Sequence, residues 1–155
     1  MKPPSLALVA LLAAGGCASS STTRIDIQRA VGALSAELVC LVEEPREPPA
    51  AFDPADGCIH YDPIRLDAIA LEHGRAVTVA AIAHELGHHL QQQRGGELEE
   101  IGADELAGCA LAVLGEPLGP YLDFVGGHHT APTDARAAAV LRGAERCAPA
   151  ITNGR

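Results

Sequence analysis

The chain has no tryptophan, two tyrosines and two phenylalanines, which excludes a core of stacked aromatic rings. Its interior must be built from Ala, Leu, Val and Ile, and such small aliphatic side chains favour closely packed helices. Lysine occurs once, at Lys2, and 20 Asp and Glu outnumber 11 Lys and Arg for a formal charge of -9. Phosphate backbones are held by clustered positive charge, so nucleic acid is excluded as a partner. No apolar run reaches the ~20 residues that a permanent membrane-spanning helix needs. The five cysteines include no C-x-x-C pair, the spacing on which structural zinc sites usually lean. What is present is 155 residues, 48% of them apolar: enough for one domain with a real core and too little for two.

The amino terminus reads as an address. Met1-Lys2 is a short positive region, residues 6–14 are apolar, and Ala14-Gly15-Gly16-Cys17 resembles a bacterial lipobox. The expectation is a signal peptide over 1–16, removed before a lipidated Cys17 that anchors an exported protein to a membrane, facing the periplasm or the cell exterior. An ordinary signal-peptidase cut near Ala18 is the alternative. The small polar run 17–23 reads as a flexible tether, 24–147 as a single domain, and 148–155 as a disordered tail. Apart from Cys17, Cys40, Cys58, Cys109 and Cys147 make an even set in a compartment that permits disulfides. Three pairings exist. Cys40 with Cys58 and Cys109 with Cys147 is preferred, because each would tie a flanking segment to the centre of the chain; buried free thiols are the alternative.

Along the chain, Ile27, Val31, Leu34, Leu38 and Leu41 recur every three or four residues and predict an amphipathic helix over 24–43. Pro45, Pro48, Pro49 and Pro54 make 44–57 a surface loop. Residues 58–62, Cys-Ile-His-Tyr-Asp, form the best strand candidate. Asp62-Pro63 opens a helix that Gly74 closes, a longer helix follows over 76–94, and another over 98–114. Residues 116–129 read as a packed loop or short helix and 134–147 as a final helix with Thr133 as N-cap. The fold class is therefore mostly helical α+β.

The chemistry concentrates in residues 77–114. His84-Glu85-Leu86-Gly87-His88 is an HExxH segment on a predicted helix. Four-residue spacing sets both imidazoles on one face, where they can grip one zinc ion, with Glu85 beside them as the base that takes a proton from water. A catalytic zinc usually has three protein ligands and one open position. Glu100 is the leading third ligand, with Glu97 and Glu99 as weaker rivals. Asp104, one turn beyond Glu100, is placed to orient a ligand imidazole. His84, Glu85 and His88 together in a helical, mostly apolar segment need a partner, since lone ionisable groups are costly there. The tetrahedral transition state of acyl transfer needs a donor for its oxyanion, and His129, its neighbour His128, and Arg136 are the candidates. His89 points off the metal side, and His60 and His73 belong to no visible cluster. The function these residues point to is zinc-dependent hydrolysis of peptide bonds, one Zn2+ per chain, acting on a protein or peptide substrate in the cell envelope. The alternative is an inactive zinc-binding envelope lipoprotein serving peptide binding, partner binding or assembly. Oligomeric state is not legible.

The series Ile59-His60-Tyr61-Asp62-Pro63, Ala83-His84-Glu85-Leu86-Gly87-His88-His89-Leu90 and Glu100-Ile101-Gly102-Ala103-Asp104 resembles small bacterial gluzincin-type zinc metallopeptidases, related to the HtpX-like peptidases and the minigluzincins. The resemblance covers a little over half the chain. It implies a zincin-like domain with an active-site helix, a second ligand-bearing helix and a small edge-strand sheet. It also implies zinc ligands at His84, His88 and Glu100, a catalytic Glu85, a supporting Asp104, and an edge strand over 58–62 along which an extended substrate pairs. His128-His129-Thr130-Ala131-Pro132 and Arg136-Ala137-Ala138-Ala139 are similar to a later His-Pro and Arg segment of that group, with the Pro displaced from the His.

Overall fold

The structure, a computed structural model, describes residues 22–34, 39–128 and 133–148. Expectations that fall on the leader, Cys17, most of the tether, His129 and the tail beyond residue 148 lie outside the described residues. Helix α1 (Thr22–Ala33) leads to β1 (Cys40–Glu43), β2 (Ala50–Asp53) and β3 (Cys58–Tyr61), then to α2 (Pro63–His73), α3 (Arg75–Gln93), α4 (Glu100–Leu114), α5 (Gly119–His128) and α6 (Thr133–Cys147). This is a mostly helical α+β arrangement with one three-stranded sheet.

Local chemistry explains the boundaries. The Asp62 carboxylate caps α2 by accepting from the Ile64 and Arg65 amides at 3.0 and 3.3 Å, and Pro63 sits in the first turn, where a missing N–H is harmless. Helix α4 stops at Gly115, whose φ of 68° is left-handed and lets its amide return to the carbonyls of Leu111 and Ala112. Helix α3 is buried along most of its length and packs against α1, α2, α4, α5 and the sheet. Around it Ile59, Leu66, Ile82, Leu86, Leu111, Val125 and Val140 are fully enclosed, a core of branched aliphatics as the lack of aromatics requires.

Helix packing is close where glycine permits it. A Cβ on Gly87 would lie 2.8 Å from Ala103 Cα, so α3 and α4 touch there backbone to backbone. A Cβ on Gly108 would lie 1.9 Å from Val140 O, and one on Gly143 would lie 1.8 Å from Glu105 O. Gly108 and Gly143 thus serve the α4–α6 contact. The Cys109–Cys147 disulfide closes the same pair of helices.

Three readings are corrected. The helix expected over 24–43 ends at Ala33, and residues 40–43 form β1, parallel to β3 with Cys40 opposite Cys58 and the two joined as a disulfide. The helical spacing of Leu38 and Leu41 overlaps the run Cys40-Leu41-Val42-Glu43 that the sheet claims. The loop read over 44–57 contains β2, four residues fitted between Pro49 and Pro54, antiparallel to β3. The strand expected at the sheet edge, β3, is its centre: the order is β1-β3-β2. At the other end, the stretch read as tether already contains the start of α1. Thr23 is enclosed, and its hydroxyl and amide donate to the Asp67 carboxylate at 2.5 and 3.1 Å. Among the described residues no helix is long and apolar enough to cross a membrane.

Candidate metal centre

Helices α3 and α4 bring His84, His88 and Glu100 together. His84 Nε2 and His88 Nε2 are 3.2 Å apart, and Glu100 places Oε2 3.3 Å from the first and Oε1 3.4 Å from the second. Donors at about 2.0 to 2.1 Å from a tetrahedral zinc are separated by about 3.3 Å, so the two imidazole nitrogens and the carboxylate, which sets one oxygen against each ring, already lie at ligand spacing. Two facing imidazole nitrogens this close repel unless a proton or a cation lies between them. Both other ring nitrogens are engaged: His84 Nδ1–H donates to Asp104 Oδ1 at 2.9 Å, and His88 Nδ1–H donates to Gln91 Oε1 at 3.2 Å. Those bonds set the tautomers that leave Nε2 of each ring free to ligate. The residues present therefore fit a divalent cation.

The surrounding charges agree. Asp104 is fully enclosed and Arg136 is 4% exposed; Arg136 Nε and Nη2 donate to the two Asp104 oxygens at 2.6 and 2.8 Å, and Nη2 lies 3.4 Å from Glu100 Oε2. Two carboxylates, Glu100 and Asp104, thus face one guanidinium. Burial pushes the His84 pKa down, but the hydrogen-bonded carboxylates of Asp104 and Glu100 outweigh it and hold it at about 9. The His84 bond, working against partial burial, draws Glu100 down to about 2. Burial acts to raise Asp104, yet its bonds to Arg136 and His84 keep it below its ordinary value. The site attracts positive charge, which a divalent cation would supply.

Glu85 lies on the same helix with Oε2 accepting the Phe52 amide at 2.7 Å. Burial raises its pKa, against the opposing pull of His84 and the Phe52 N–H. Among the described residues strand β2 pairs with β3 alone, so the Phe52 amide ties the outer border of the sheet to the HExxH helix. This contact was invisible in the sequence because it uses backbone.

These groups line a cleft of about 760 Å³. Its lining combines Ala50, Ala51 and Phe52 of β2 and the preceding Glu47, Pro48 and Pro49 with His84, Glu85, His88 and Glu100 and with Leu66, Ile69, Tyr121 and Phe124. Tyr121, missed from sequence, is 3% exposed; burial and then the Asp104 charge push its phenol pKa well up, so it stays protonated.

The other sequence candidates are distributed as follows. Arg136, read as an oxyanion donor, faces the cleft but is held by Asp104. His128 is the last residue of α5, and His129 lies outside the described residues. Glu99 is the N-cap of α4, and its backbone, rather than its carboxylate, is engaged by Gln91. His89 turns away from the cation site, accepts from Gln93 at 2.9 Å and sets its ring edge-on to Phe52. His60, assigned to no cluster from sequence, is clamped between Glu44 Oε1 and Asp56 Oδ2, each 2.9 Å from a ring nitrogen. Asp53, Asp56 and His60 form a second trio with metal-ligand spacing. The hairpin accounts for it: Asp53 and Asp56 accept the Ala55 and Cys58 amides at 2.8 Å, and both His60 nitrogens are already paired. No family model, curated protein or solved structure matches the chain, so a functional reading rests on the geometry of these side chains.

Proposed function

We propose that the chain is a zinc-dependent endopeptidase of the gluzincin type, with His84, His88 and Glu100 as metal ligands and Glu85 as general base. The observation that carries the reading is the convergence of two imidazole nitrogens 3.2 Å apart on the Glu100 carboxylate, whose oxygens lie 3.3 and 3.4 Å from them, beside a second carboxylate, Glu85. A zinc ion held there supplies Lewis acidity and an acidified water. Glu85, steadied through Oε2 by the Phe52 amide, takes the proton of the attacking water on its other oxygen and returns it to the leaving amine. Asp104 and Arg136 keep the His84 ring turned so that Nε2 faces the cation.

The substrate that suits the cleft is an extended, unfolded peptide. Strand β2 replaces β3 as the strand along which such a peptide pairs, since it borders the cleft and, among the described residues, has one unpaired side. The lining residues Leu66, Ile69, Tyr121 and Phe124 suit an apolar side chain. The two disulfides fit an oxidising compartment and so support export; lipidation at Cys17 rests on the lipobox alone.

The test is cleavage of a reduced, unfolded protein by the zinc-loaded domain, by the chelated domain with and without zinc restored, and by Glu85→Gln. Fragments that vanish with chelator, return with zinc and fall at least about a hundredfold in Glu85→Gln are expected. Equal inertness of zinc-loaded wild type and Glu85→Gln across varied peptides would leave a zinc-binding protein without peptidase activity.

A further inference from the structure

On the side of the ring away from the cation site, His84 Nδ1 is held by a carboxylate, Asp104, whereas His88 Nδ1 is held by a neutral side chain. Gln91 lies three residues beyond it on α3. Its Oε1 accepts His88 Nδ1–H at 3.2 Å and the Glu99 amide at 2.9 Å, while its Nε2 donates to the Glu99 carbonyl at 2.9 Å. The Glu99 backbone thereby fixes which end of the amide is oxygen, and the oxygen in turn fixes the His88 tautomer. Glu99 is the N-cap of α4 and makes no side-chain cap of its own. The residue that follows it is Glu100.

Helix α4 is shaped to admit this amide. A Cβ on Gly102 would lie 2.6 Å from Gln91 Nε2, so any larger residue there would displace it. One side chain therefore joins the second histidine to the start of the helix that carries the third ligand.

We infer that Gln91 is the positioning residue of the metal centre, setting His88 with Nε2 toward the cation and locking the entry of α4 so that Glu100 meets both histidines. The inference rests on the zinc reading for its consequence, though its geometry does not. Losing such an outer contact lowers metal affinity about 10- to 100-fold. Gln91 is half-buried and Glu99 exposed, so the fold without metal depends little on the clamp.

Three measurements on the soluble domain test it together: zinc affinity by chelator competition, thermal unfolding of the metal-free form, and the His88 tautomer from nitrogen-15 NMR of metal-free protein at pH 8. Wild type is expected to show Nδ1–H at His88. Gln91→Ala is expected to shift His88 toward Nε2–H and to bind zinc about 10- to 100-fold more weakly, at nearly unchanged metal-free unfolding. Gln91→Glu, which keeps an acceptor for both N–H groups but sets a carboxylate oxygen against the Glu99 carbonyl, is expected to restore the tautomer and only part of the affinity. Wild-type affinity in Gln91→Ala, or an affinity loss matched by loss of the metal-free fold, would overturn the inference. Wild type that takes up no zinc would sink the peptidase reading instead, and the tautomer alone then decides the role of Gln91.

Discussion

Replacing Asp104 with Asn removes a charge while nearly preserving shape. The carboxylate is fully enclosed and accepts three charge-bearing or polarised donors, Arg136 Nε, Arg136 Nη2 and His84 Nδ1, at 2.6, 2.8 and 2.9 Å. An amide can accept through one atom only, so its NH2 would be set against an N–H of Arg136 or His84. Arg136, at 4% exposure, would keep Glu100 at 3.4 Å as its remaining anionic neighbour. Breaking a buried pair by removing one partner costs about 3 to 5 kcal/mol. The retained Glu100 places this case near the lower end, at about 3 kcal/mol. For a domain of this size that lowers Tm by about 10 °C. Thermal unfolding by circular dichroism of the metal-free protein measures it. The double variant Asp104→Leu/Arg136→Met, which removes both charges, is expected to recover most of that stability, since an apolar pair of similar volume replaces a buried ion pair at little cost. It should not recover zinc affinity, because His84 stays unoriented. A Tm for Asp104→Asn within 2 °C of wild type, taking ~4 °C per kcal/mol as the scale, would refute the reasoning that Arg136 depends on this carboxylate.

Other outcomes follow from the same coordinates. Gly108→Ala drives a methyl to 1.9 Å from Val140 O and should abolish the α4–α6 packing, seen as a large loss of Tm or of soluble protein. Gly126→Ala in α5, with nothing within 4 Å of the new Cβ, should be neutral or add up to about 1 kcal/mol. Replacing Cys109 and Cys147 by Ser opens a crosslink spanning 38 residues, worth about 4 kcal/mol on the chain-entropy scale, read from denaturant unfolding with and without reductant. Zinc binding at pH 7 should release about one proton, because His84 with a pKa of about 9 carries one in the metal-free state and a ligand nitrogen cannot. Calorimetry in two buffers of different ionisation enthalpy gives the count, and zero release would contradict the charge balance drawn for the site. By linkage, the raised His84 pKa gives metal-free stability present below about 6.5 and lost as pH rises through about 9. The lowered Glu100 pKa gives stability present above about 4.5 and lost as pH falls through about 2.

The sequence showed what is carried by short-range spacing. His84 and His88 at i,i+4, and Asp104 one turn from Glu100, are helix-face relations within two segments that the sequence marks as helices. It hid what depends on strand order and on backbone. Residues 58–61 were recognisable as a strand, yet whether a strand is central or at an edge is decided by chain brought in from elsewhere, here β1 and β2. Strand β1 was masked by leucines whose spacing also suits a helix. Strand β2 was masked by the prolines that bound it. The Phe52 amide on Glu85 carries no side-chain signature. Gln91 stood three residues beyond His88, and only the fold shows that its amide reaches across to Glu99, eight residues away. Arg136 was a candidate oxyanion donor by its charge, and its pairing with the enclosed Asp104 is a long-range contact that the sequence does not show.

Zinc content bears most directly on the central claim. After exposure to chelator-buffered zinc and gel filtration, the wild-type domain should carry one zinc per chain, while Glu100→Ala and His88→Ala should carry far less at unchanged folding. Wild type that retains no zinc, or Glu100→Ala that retains as much as wild type, would contradict a metal centre made of His84, His88 and Glu100.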